Sequence, residues 1–238
     1  MQVKLKNYKK DFEYSYALGA SPTIELLENR AHDCFRVIFS TDYTDKSRLE
    51  NLCDKYDISF EENQKLINIL SPKENCYVIG AFYKREYKLE KNKPHIVLDN
   101  PSDMGNLGTI MRSCAGFGVK NLALINGADA FNPKAVRASM GAFFHINLEY
   151  FASIQDYLKI HGKGRELYAF MLNAEHNLAD LSVENKIYSL IFGNESSGLE
   201  YAIYKNIAQS VVIKHTDAID SLSLPVAVSI ALFRFGKL

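Results

Sequence analysis

The sequence predicts an α/β chain whose larger, second part is built on a mainly parallel sheet. Three observations carry this. From about residue 94 onward, short apolar runs alternate with helical patterns. Several of those runs, such as Asn121–Ile125 and Tyr188–Phe192, are apolar almost throughout, as strands buried on both faces are. A polar segment rich in Lys and Glu and ending in proline, Tyr83–Pro94, reads as a linker from a smaller α/β unit before it. A sheet covered by helices on both faces follows, with ligands expected at the carboxyl ends of its strands.

Before the linker, Ser21-Pro22 reads as an N-cap followed by proline at the first helical position, with Ile24, Leu26 and Leu27 as the apolar face. Phe35–Phe39 and Tyr77–Phe82 read as strands, and Leu49–Tyr56 and Gln64–Leu70 as helices. After it, strands are expected at His95–Asp99, Asn121–Ile125, Ile146–Phe151, Leu167–Leu172, Tyr188–Phe192 and Val211–Ile213. Helices are expected near Asn106–Phe117, Pro133–Phe143, Ile154–Ile160, Leu199–Asn206 and Leu224–Phe235. The last is apolar nearly all round and must be covered on every side, most simply by a second copy of the chain. A charge at Val228 is expected to break such a dimer.

Composition narrows the function classes. A formal net charge of zero excludes binding to nucleic acid by bulk charge alone and leaves room for a local basic patch. Candidate groups are Lys4, Lys6, Lys9, Lys10, Lys84, Arg85 and Lys88. The four cysteines, Cys34, Cys53, Cys76 and Cys114, form no CxxC pair, so no metal site or redox dithiol is expected. They read as buried apolar residues of a protein of the reducing cytoplasm. The first residues lack the apolar stretch of a signal peptide, and no run of about 18 apolar residues offers a membrane span. No Walker loop or GxGxxG fingerprint follows a strand, which argues against a nucleotide-dependent oxidoreductase. The six histidines cluster with no nucleophile motif and read as surface or satisfied residues.

Three segments fall at the expected strand ends. In Asp99–Leu122 a loop with Pro101 and Gly105 leads into a helix that Asn106 is placed to cap, with Arg112 within its apolar stretch. A buried arginine rarely lacks a partner, which favours a functional role for Arg112 over a purely packed one. In Leu190–Leu199 a strand runs into Gly193, Asn194 and Glu195; glycine admits close approach of a ligand to backbone. Glu195 also suits a helix N-terminus electrostatically. In Val211–Leu238 a strand, a serine-rich turn and the apolar helix follow one another.

Together these segments resemble the SPOUT-class methyltransferases, specifically the TrmH (SpoU) family of ribose 2′-O-methyltransferases, over residues 94–238. Asn106, Gly108 and Arg112 match the first motif, Gly193-Asn194-Glu195 with Gly198-Leu199 the second, and Ser221-Leu222 the third. Ala135–Ala142 resembles a connecting motif. Residues 1–90 are similar, less specifically, to the family's accessory RNA-binding domain, an α/β fold like that of a ribosomal protein. The resemblance implies a deep trefoil knot in the second domain, a homodimer, S-adenosylmethionine as cofactor, and ribosomal or transfer RNA, not DNA, as substrate. By position it implies cofactor contacts at Leu172, Asn173, Gly193, Ile213, Leu222 and Ser223, and catalytic roles for Asn106, Arg112, Glu195 and Ser221. A guanidinium stays protonated, so Arg112 is read as stabilising charge on the hydroxyl oxygen. Asn106 then orients Arg112 or the ribose, and Glu195 or an RNA phosphate takes the proton. The chain departs from the family pattern twice. Ser223 stands for an asparagine, and Lys214-His215 for a proline and an apolar residue. These departures support a second reading, a non-catalytic RNA-binding protein that keeps the fold; methyl transfer to RNA separates the two.

Overall fold

The computed structural model describes residues 3–71, 76–182 and 186–236. In chain order its elements are β1 (Tyr14–Leu18), α1 (Ala20–Arg30), β2 (Cys34–Phe39), α2 (Ser47–Lys55), β3 (Ser59–Glu62), α3 (Gln64–Leu70) and β4 (Val78–Tyr83). Then come β5 (His95–Asp99), α4 (Met104–Gly116), β6 (Asn121–Ile125), α5 (Pro133–Ala138), β7 (Asn147–Phe151), α6 (Ile154–His161), β8 (Glu166–Phe170) and β9 (His176–Asn177). The chain closes with β10 (Tyr188–Phe192), α7 (Tyr201–Tyr204), β11 (Gln209–Val212) and α8 (Leu224–Phe235). Lys237 and Leu238, the end of the third sequence segment, lie outside the described residues.

Two compact units emerge, residues 1–85 with 129–145, and residues 86–128 with 146–238. This differs from a division into 1–90 and 94–238 in two places. Residues 86–90 belong with the second unit because Leu89 is buried in its core and Tyr87 donates its amide to the Leu148 carbonyl. Residues 129–145 belong with the first because the Ser15 hydroxyl donates to the Phe131 carbonyl and Phe143 and Phe144 pack on Phe82.

In the first unit the strand order is β1-β4-β2-β3, with β4 antiparallel to β1 and β2, and β2 parallel to β3. One face carries Leu5, Tyr16, Ile38, Ile67 and Ile79. Against expectation, α1 starts at Ala20 after Gly19, whose φ of 109° is open to glycine, and no side chain caps it. The run Pro133–Phe143 is not one helix. Met140 and Gly141 both take positive φ and end it, and a 3₁₀ turn, Ala142–His145, follows.

In the second unit seven strands run in the order β7-β6-β5-β10-β8-β11-β9, and every pairing is parallel. Alternation sends Val97, Ala123, Ala169 and Ile191 to one face, where Ile154 and Tyr157 of α6 and Tyr204 of α7 cover them. On the other, α4 packs along α8, with Ser113 and Ser229 hydroxyls 2.8 Å apart and Phe235 against Tyr168 and Tyr188. Each large apolar side chain so buried contributes about 1.5–3 kcal/mol. The expected helix at Leu199–Asn206 shrinks to the single turn α7. Tyr204 there is fixed by its hydroxyl, which donates to Asp99 at 2.5 Å.

A candidate cofactor pocket at the strand ends

Parallel strands release their chains at one edge of the sheet, and the loops there converge. Those after β5 and β10 are bound together by one carboxylate. Glu195 Oε2 accepts from the Ser102 amide at 2.9 Å and the Ser102 hydroxyl at 2.7 Å, and Oε1 from the Asp103 amide and Asn106 Nδ2, both at 3.2 Å. Partial burial opposes ionisation of Glu195, but the Ser102 and Asn106 bonds and its own amide outweigh it and hold the carboxyl at about 2. Asn194 adds a second tie, donating to the Asn100 carbonyl at 2.8 Å while its Oδ1 accepts from the Ser196 and Ser197 amides.

Gly193 is required by this loop. A Cβ there would lie 2.1 Å from the Gly198 carbonyl carbon and 2.4 Å from the Leu199 amide nitrogen. Gly127 answers the same need on the neighbouring loop, where a Cβ would meet the Pro101 carbonyl oxygen at 2.4 Å.

Between these loops and the ends of β8 and β11 lies a cavity of about 280 Å³, walled by residues 170–173, 192–199 and 211–213 with His215, Ser221, Leu222, Leu224 and Ala227. Phe170 and Phe192 stack in it, 4.4 Å between centroids and 13° between planes. An adjoining hollow shares Leu172, Val212 and His215 and adds Lys214, Asp217, Ile219 and Asp220.

The cavity gathers Leu172, Asn173, Gly193, Glu195, Ile213, Ser221 and Leu222 from four separate stretches of sequence. It does not gather the other three. Ser223 is exposed at the start of α8, where its side chain caps nothing. Asn106 reaches the wall only through Glu195, and the α4 cap is Asp103, which accepts the Asn106 amide at 2.7 Å. Arg112 is exposed on α4, and its side chain makes no hydrogen bond or ion pair to another described residue. The expectation of a buried, partnered arginine is corrected: the apolar residues around it, Ile110, Met111 and Cys114, face the core and turn Arg112 outward. The Glu195 carboxylate has its lone-pair positions taken up by four donors.

Sequence reasoning missed Ser102, Asn100 and Asn194 as the residues that fasten the loops. Asn-Pro-Ser-Asp before a helix was the available signal for the first two. Among the described residues, no group of three or more His, Cys, Asp or Glu could hold a metal ion. Among those residues, too, no helix is long and apolar enough to cross a membrane.

The sequence profile of the SpoU rRNA Methylase family matches residues 93–233. The chain is 30% identical over 140 residues to an uncharacterized tRNA/rRNA methyltransferase of Synechocystis sp., a match covering 58% of this chain and 51% of that protein. It is 29% identical over 159 residues to the 23S rRNA (guanosine(2553)-2′-O)-methyltransferase of Bacillus subtilis, covering 66% of this chain and 63% of that one. The matches thus span between half and two thirds of these relatives' lengths. An AdoMet-bound rRNA methyltransferase from Sinorhizobium meliloti has the same fold, with a TM-score of 0.82 at 24% identity over 94% of this chain and 87% of that one.

Proposed function

We propose that this chain, which belongs to the SpoU rRNA methylase family, transfers a methyl group from S-adenosylmethionine to a ribose 2′-hydroxyl of ribosomal or transfer RNA. One observation carries the reading: the second and third motif segments, remote in sequence, wall a single cavity at the strand ends. Its walls suit this cofactor. Stacked aromatic and aliphatic groups with amide and hydroxyl donors fit a nucleoside. Among the described residues its wall holds a carboxylate but no Lys or Arg, which suits a cationic sulfonium better than a phosphate. When bound, the cofactor supplies an electrophilic methyl group. The chain does the rest. Backbone at Gly193, Ile213 and Leu222 holds the ligand, Leu172 and Asn173 close over it, and Ser221 lies beside it. Asn106 and Glu195 fix the loops, so that the reacting groups meet in line. DNA lacks the acceptor hydroxyl and is not a substrate.

A trefoil knot belongs to this reading. Support comes from β10 lying between β5 and β8, with the loops after β8, β10 and β11 closing on one cavity. So does a homodimer. Val226, Ile230 and Phe233 form an exposed stripe along α8, with Phe233 73% exposed. A second copy covering that stripe is the means by which Arg112, which lies outside the wall, is brought to a ribose. Val228 is a poor test of pairing, because it is fully buried within its own chain. Phe233→Asp is the better one, and light scattering is expected to show a dimer turned monomer with the fold intact.

The first unit supplies RNA affinity in this reading, through Lys4, Lys6, Lys9 and Lys10, all exposed. The other basic candidates are engaged within the chain: Lys84 lies over the Tyr8 ring, Arg85 pairs with Asp33 and Lys88 with Glu149. Four free, buried cysteines suit the reducing cytoplasm. The deciding experiment maps ribose-methylated positions in RNA from cells with and without the protein. Identical maps, with no methyl transfer by the purified protein, leave the non-catalytic reading in its place.

A further inference from the structure

We propose that His215 takes up the proton released from the ribose hydroxyl, a role that rests on the methyl-transfer reading above. Among the described residues that wall the cavity, two side chains can exchange a proton, Glu195 and His215. Glu195 already accepts four hydrogen bonds. Arg112 stays protonated and stands outside the wall. His215 is placed differently. It lies in the wall common to the cavity and the adjoining hollow, two residues beyond Ile213 where the chain leaves β11. Its Nε2 is closed off from solvent and has no hydrogen-bond partner among the described residues. An unpaired buried nitrogen costs on the order of 1–3 kcal/mol, and such a group in a native fold calls for an explanation. A ligand hydroxyl that meets Nε2 once the ring turns toward the cavity removes that cost. Histidine is also the side chain suited to proton exchange near neutral pH.

The step balances. The ribose O–H bond breaks and its proton goes to the imidazole. The oxygen forms the O–CH₃ bond, the S–C bond breaks with its electron pair left on sulfur, and the sulfonium becomes a neutral thioether. The imidazolium then returns its proton to water.

The test uses the full chain, its His215→Gln and His215→Ala variants, and RNA from cells lacking the protein. Three quantities are measured: calorimetric binding of S-adenosylhomocysteine, methyl transfer across pH, and transfer by the alanine variant with added imidazole. The charged groups sharing these walls, Lys214, Asp217, Asp220 and Glu195, stay in place throughout. Transfer by His215→Gln is expected to fall on the order of 100-fold beyond any loss of S-adenosylhomocysteine binding, and to lose its decline at acid pH. Imidazole is expected to restore the alanine variant in proportion to its unprotonated form, which a merely structural histidine would not allow. If His215→Gln transfers at the natural rate with the natural pH profile, or if imidazole restores nothing, an RNA phosphate or solvent takes the proton and the proposal falls. A natural protein that binds S-adenosylhomocysteine yet methylates no RNA overturns the methyl-transfer reading as well.

Discussion

The two ends of the seven-stranded sheet carry polar clusters of opposite character. At the amino ends the cluster is sealed. His95, fully buried, sets Nδ1 2.8 Å from the Tyr157 hydroxyl and Nε2 2.9 Å from the Glu90 carbonyl, and Tyr157 reaches Ser189 at 2.6 Å. Arg165, also buried, has no carboxylate partner among the described residues; it donates to the carbonyls of Lys91, Lys93, Tyr188 and His161. Burial first, then the Arg165 charge, push His95 down to about 3, so it stays neutral. His161 packs on the Tyr157 and Phe151 rings, and its nitrogens have no hydrogen-bond partner among the described residues. At the carboxyl ends the polar groups tie loops around space that is left open. The contrast shows how one sheet divides its labour. One edge spends its hydrogen bonds on fastening chain 90–93 to the strands, and the other leaves donors and a cavity for a ligand.

Five substitutions test that division, from the largest effect to the smallest. Arg112→Ala is expected to cut methyl transfer about a thousandfold, the scale of one lost donor at a developing oxyanion, with S-adenosylhomocysteine binding unchanged. A variant that still turns over would detach α4 from the chemistry. Arg165→Met should act on stability alone. It strips four carbonyls of their donor, a loss of roughly 3 kcal/mol, which lowers the melting temperature by about 6–12 °C. Weakened ligand binding in the same variant would show that the two ends are coupled.

Glu195→Gln should also reach the ligand. An amide offers one acceptor oxygen where the carboxylate offers two, so two of four bonds go. Ligand binding is expected to weaken on the order of tenfold, and the melting temperature at neutral pH to fall with the lost bonds. Acid separates the ends further. His95 drops from 6.5 to about 3 on folding, so its contribution is whole above pH 6.5 and is lost as pH falls toward 3. Glu195 drops from 4.5 to about 2, so its contribution is whole above 4.5 and is lost toward 2. Melting curves across pH should therefore flatten in the upper window for His95→Gln and only in the lower one for Glu195→Gln.

Ser223→Asn is expected to change least, leaving transfer equal or up to about fivefold higher, the worth of one hydrogen bond. Its exposed place outside the cavity wall accounts for so small an effect. If asparagine switched on an otherwise inert protein, the loop before α8 would have to be part of the reacting assembly.

Periodicity and apolar runs by themselves determined most of the second unit. His95–Asp99, Asn121–Ile125, Tyr188–Phe192 and Leu224–Phe235 form as the pattern predicts, because a strand or helix wrapped by core has its burial written into every residue. Motif residues such as Gly193, Glu195, Ser221 and Leu222 lie in the cavity wall, since glycine at 193 and leucine at 222 suit any chain that must pass close to a ligand. Local pattern was silent where neighbours distant in sequence decide the outcome. It did not show β1 and β3, whose pairings with β4 and β2 define them, nor that residues 129–145 pack with the first 85. It did not orient Arg112 outward. Nor did it reveal that Glu195 is saturated by Ser102, Asp103 and Asn106, some ninety residues before it. Charge and hydrogen bonding act through space, so a carboxylate's role depends on which donors the folded chain brings within 3 Å, and that is settled only when the loops meet.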